Sequence, residues 1–84
     1  MFAVHFSSRA KREFDRLRND KLDNILKIFT IDPLPAKHCD IKKLRGLKNT
    51  FRIRIGKIRI VYTVFWEDKV ILISRISHRE HVYD

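Results

Sequence analysis

Cysteine occurs once in the 84 residues, at Cys39, so no internal disulfide can form and a reducing compartment, the cytoplasm, is the expected setting. No apolar run approaches the ~18 residues of a spanning helix, and none has the flanks of a signal peptide, so no membrane role is expected. There is no internal repeat, low-complexity tract or linker, and residues 1–84 read as one domain. Metal-capable side chains cluster only in His38-Cys39-Asp40 and His78-Glu80-His81. Neither stretch has zinc spacing or a second half, so no metal or other cofactor is expected. Acidic residues are also scarce. Lys plus Arg number 19 against 10 Asp plus Glu, a formal charge of +9 that points to nucleic acid or another acidic partner.

What the chain does have is hydrophobic period. Phe2, Val4 and Phe6 alternate with Ala3 and His5 as in a half-buried strand, which Ser7-Ser8 ends. Either serine can cap a helix carrying Ala10, Phe14 and Leu17 on one stripe. Asn19-Asp20 breaks that helix and can cap the next, where Leu22, Ile25, Leu26 and Phe29 repeat the pattern until Asp32-Pro33 and Pro35 end it. From Pro33 to about Lys48 no period is sustained, and the stretch reads as a basic loop pinned by Leu44 and Leu47, with a turn at Gly46. Trp66 to Lys69 reads as a turn and Val70 to Ile76 as a β-branched strand.

The stretch from Phe51 to Tyr62 organises the rest. Gly56-Lys57 is the signal of a type II′ or I′ turn, and it sets a register: Ile55 opposite Ile58, Arg54 opposite Arg59, Ile53 opposite Ile60, Arg52 opposite Val61. Alternation puts the isoleucines on one face and Arg52, Arg54 and Arg59 on the other. Like charges directly opposite each other cost ~0.2–1 kcal/mol, so the Arg54–Arg59 pair calls for a reason, and a bound polyanion would supply one. The element order strand, helix, helix, strand, strand, strand predicts an α+β domain, a mainly antiparallel four-stranded sheet packed against an N-terminal helical hairpin.

That order resembles the RelE/ParE superfamily of type II toxins over nearly the whole chain. The resemblance is carried by Lys43-Leu44-Arg45-Gly46-Leu47 leading into Phe51-Arg52-Ile53-Arg54, by Ile58-Arg59-Ile60-Val61-Tyr62, and by Ser77-His78-Arg79-Glu80-His81-Val82-Tyr83. The RelE branch implies a small sheet backed by two helices (a microbial RNase-type fold), ribosome-dependent cleavage of mRNA, and a cognate RelB-like antitoxin that neutralises it in a hetero-oligomer. The family's basic pair before the hairpin turn matches Arg52 and Arg54, with arginines where lysines are usual; Arg59, Arg79 and Tyr83 match the remaining positions.

The same residues suggest the chemistry independently. Cleaving RNA with its own 2′-hydroxyl needs a proton acceptor, cations on the phosphate, and stabilisation of the leaving 5′-oxygen, without a metal. Arg52, Arg54 and Arg59 suit the second task because guanidinium forks match phosphate oxygens. Arg79 suits the third, and Tyr83, His78 or His81 could serve as base. Lys43, Arg45, Lys48, Arg75 and His81 are candidate RNA contacts, and Trp66 either packs in the core or stacks on a base. The competing class is a binding-only toxin acting on a protein such as gyrase, or a nucleic-acid-binding module that has lost catalysis.

Overall fold

The structure is a computed structural model and describes residues 1–78. Strand β1 (Ala3–Phe6) leads into helices α1 (Ser8–Leu17) and α2 (Asp20–Phe29), and strands β2 (Asp40–Lys43), β3 (Thr50–Ile55), β4 (Ile58–Phe65) and β5 (Val70–His78) follow. Both helix starts are made as their sequence implies. The Ser7 hydroxyl accepts from the Ala10 amide at 3.1 Å, and the Asn19 side chain accepts from the Leu22 amide at 2.8 Å. No helix among the described residues is long and apolar enough to cross a membrane.

The sheet has five strands in the order β1-β5-β4-β3-β2, one more than the sequence pattern predicts. The addition is β2, an edge strand pairing antiparallel with β3 from within the stretch expected to be loop. It carries a single apolar residue, Ile41, so it has no alternation to announce it; its pairing comes from β3, not from its own composition. Leu47 does not pin the loop, being 54% exposed, while Leu44 is half-buried. Instead the fully buried Tyr62 donates its hydroxyl to the Pro33 carbonyl at 2.8 Å, and Pro35 is buried beside the core. Burial, with the nearby Cys39 and Asp32 adding to it, pushes the Tyr62 phenol above its ordinary pKa.

Gly56 turns the central hairpin with φ of +58°, and Lys57 stays out of the positive-φ region, which fits a type II′ turn. The register is the expected one throughout: Ile55 opposite Ile58, Arg54 opposite Arg59, Arg52 opposite Val61. The isoleucine face packs under the helices, with Phe29 against Tyr62 at 4.6 Å between ring centroids and Phe6 against Phe14 at 5.2 Å.

Strand β5 pairs with β4 on one side and lies parallel to β1 on the other. At Ser74 the β4–β5 register shifts, a bulge that lets Ile71 and Ile73 before it, and Ile76 after it, all reach the core. Pairing with β1 stops at Ile73, so the far half of β5 has an open edge. Helix α1 covers that edge. Glu13, only 7% exposed, accepts the Ile76 amide at 2.8 Å and so satisfies a backbone donor that no strand reaches.

Candidate phosphate-binding face

On the side of the sheet away from the helices, cross-strand register stacks the polar residues in two rows. One row runs Asp40, Arg54, Arg59, Ser77 and the next runs Lys42, Arg52, Val61, Arg75. Neighbouring strands lie ~4.8 Å apart and alternate residues on one strand ~6.7 Å apart. Arg52, Arg54 and Arg59 therefore rise from a patch about the size of one phosphodiester. Their stems are held: the Nε atoms of Arg52, Arg59 and Arg75 are buried against the sheet, while Arg54 is exposed. Arg54 reaches Asp40 across the β2–β3 pair at 3.3 Å, which partly offsets its repulsion from Arg59 and depends on the strand that replaces the expected loop.

The other expected site residues divide. Arg75 joins the face, and Lys42 joins it through β2. Lys43 pairs with Phe51 and so belongs to the opposite side of the sheet, exposed at its edge. Arg45 and Lys48 lie exposed in the β2–β3 connection. Trp66 is 43% exposed and meets Phe2 edge-on at 5.8 Å, so it is a surface ring, not a core one. His78 pairs with Ile58 and so shares the helix-facing side, which separates it from the three arginines. Arg79, His81 and Tyr83 lie outside the described residues.

Two signals were available for what was missed. Asp40-Ile41-Lys42 is charge-complementary in part, and apolar-matched, to Arg52-Ile53-Arg54 read in reverse, which is the pairing observed. For Glu13 the only hint was its place beside Phe14, on a helix where Arg9, Lys11, Arg12 and Arg16 outnumber Glu13 and Asp15.

Comparison with known proteins decides the family. The sequence model of the ParE toxin of type II toxin-antitoxin systems matches residues 4–83. The chain belongs to the RelE/ParE superfamily of type II toxins. Two proteins of Methanocaldococcus jannaschii are similar to this toxin. The candidate toxin RelE1 is 40% identical over 75% of this chain and 70% of its own length, and toxin RelE3 is 32% identical over 95% and 76%. Among solved structures, the RelE–RelB complex of Pyrococcus horikoshii OT3 contains a chain that superposes with a TM-score of 0.81 at 26% identity, covering 96% of this toxin and 98% of that chain. A chain of the RelB–RelE complex from Methanococcus jannaschii superposes with a TM-score of 0.66, also at 26% identity, covering 96% of each. The architecture of two helices on a small sheet is thus that of RelE toxins.

Proposed function

We propose that this toxin is a metal-independent endoribonuclease that cleaves mRNA on the ribosome and so stops translation. The observation that carries the reading is the convergence of Arg52, Arg54 and Arg59 on one face, over a patch the size of a phosphodiester. In the reaction the 2′-oxygen attacks the neighbouring phosphorus, the bond to the 5′-oxygen breaks, and the products are a 2′,3′-cyclic phosphate and a 5′-hydroxyl. The three guanidiniums hold the non-bridging oxygens, on which charge builds as phosphorus becomes five-coordinate. None of them takes up the 2′-hydroxyl proton, since guanidinium stays protonated. That proton goes to Tyr83 or His81, His78 being on the other side of the sheet, and Arg79 stabilises the leaving 5′-oxygen, which takes its proton from water. The ribosome contributes orientation of the message, worth several kcal/mol, about 7 or more where alignment is good.

The partner of this reading is an acidic RelB-like antitoxin. A +9 chain with a cationic face suits a partly disordered acidic segment that covers it, and two similar chains were solved as complexes with RelB. The toxin would act in the cytoplasm, where messages are translated.

Primer extension on transcripts during induced expression, repeated in a purified system with and without ribosomes, tests the proposal. Cuts within translated codons are expected only with ribosomes, and they should vanish for the Arg52→Ala/Arg54→Ala double variant. Equal cleavage of naked RNA would remove the ribosome from the mechanism, and no cleavage at all would remove the nuclease. The second reading, a toxin acting on gyrase, is favoured by the ParE description of the matching family model. It predicts loss of supercoiling activity with transcripts intact.

A further inference from the structure

Resting on that reading, we infer that the groove between α1 and the far half of β5 is a second phosphate subsite, which takes single-stranded RNA as it leaves the arginine face. The groove has a volume of about 510 Å³ and is lined by Arg9, Glu13, Arg16, Arg75, Ser77 and His78, among others. Arg9, Glu13 and Arg16 lie at i, i+4 and i+7, hence on one side of α1, with the two arginines ~10 Å apart along the axis. Both arginines are exposed. Glu13 sits between them as an anchor. One carboxylate oxygen takes the Ile76 amide, and the other stands 3.5 Å from Arg9 Nε and 3.7 Å from Arg75 Nε. That single carboxylate fixes two guanidiniums, and among the described residues the groove's three lining arginines still exceed its one acidic residue.

Arg75 makes the groove continuous with the face. In register it stands in the same row as Arg52 and Lys42, two strand spacings or ~10 Å from Arg52, and it also lines the groove. A strand of RNA whose scissile phosphate rests on Arg52, Arg54 and Arg59 can therefore cross β4 and β5 and pass beyond the end of the β1 pairing to reach Arg9 and Arg16 on α1, the helix that covers that edge. Lys42 extends the same row in the opposite direction.

The test uses fluorescence anisotropy of the full chain with 2′-O-methyl RNA, which lacks the attacking hydroxyl, as a trimer and as a dodecamer. Arg9→Ala/Arg16→Ala should leave trimer binding unchanged, weaken the dodecamer, and make its log affinity against log salt shallower by about 1.4, the value for two lost phosphate contacts on a single strand. Arg9→Lys/Arg16→Lys should restore most of the slope. Circular dichroism of each variant checks the fold. Dodecamer binding left unchanged by the alanine pair, while Arg52→Ala/Arg54→Ala weakens both RNAs, overturns the groove alone. Failure of Arg52→Ala/Arg54→Ala to weaken either RNA overturns the phosphate-binding face on which the groove depends.

Discussion

Truncating Glu13 to alanine tests how the open edge of β5 is held. The substitution removes the acceptor that sits 2.8 Å from the buried Ile76 amide, and an orphaned buried donor costs about 1–3 kcal/mol. Because the adjoining groove admits water, the lower part of that range applies, about 1–2 kcal/mol. The ion pairs with Arg9 and Arg75, whose side chains are 58% and 39% exposed, add at most ~1 kcal/mol together. The expected loss is about 2 kcal/mol, which for a domain of this size lowers Tm by roughly 8–16 °C. Glu13→Gln keeps an oxygen in place for Ile76 and should lose no more than ~1 kcal/mol. Urea denaturation gives the free energies, and hydrogen exchange read at the Ile76 amide localises the effect, with protection lost in the alanine variant and kept in the glutamine variant. If Glu13→Ala stays within ~0.5 kcal/mol of the parent, or if glutamine is as damaging as alanine, the carboxylate does not cap the strand edge as argued.

Three further outcomes follow from other contacts. Tyr62 is held neutral by burial, so its share of the stability is whole below the ordinary tyrosine pKa of 10.0 and is lost as pH rises from there through the higher folded value. Denaturation midpoints from pH 8 upward should fall more steeply for the parent than for Tyr62→Phe, which itself costs about 1 kcal/mol through the orphaned Pro33 carbonyl. Gly56→Ala should cost ~1–2 kcal/mol for its backbone at φ +58°, since the nearby Lys21 Nζ, 3.1 Å from the added carbon, can move aside; a neutral result in calorimetry would contradict the turn assignment. Asp40→Asn removes the anion paired with Arg54 on the arginine face, so RNA should bind more tightly while stability, read by urea denaturation, shifts by less than ~1 kcal/mol.

The hairpin register was legible because a Gly-led two-residue turn leaves alternating side chains only one sensible pairing, and the arginine face follows from it. Both helix caps were legible because Ser7 and Asn19 act over three residues. What escaped was set by distant partners. Asp40 and Lys42 gain their places only when β3 recruits β2, and Glu13 gains its role only because β1 stops short along β5. Surface exposure of Trp66 was hidden likewise, since an aromatic at a turn packs or not according to what folds back over it. His78 is a candidate base by its imidazole, but the Ser74 bulge and strand parity send it to the helix side.

Strand β5 is the last of the seven elements among the described residues, yet it lies between β1 and β4 and supplies the edge that α1 covers. Nucleation therefore cannot finish from the amino end: β1 has no ladder to join, and Glu13 no amide to accept, until the segment near residue 70 is available. A chain emerging in order of synthesis carries its cationic hairpin exposed but its scaffold incomplete, so the competent toxin forms late and all at once.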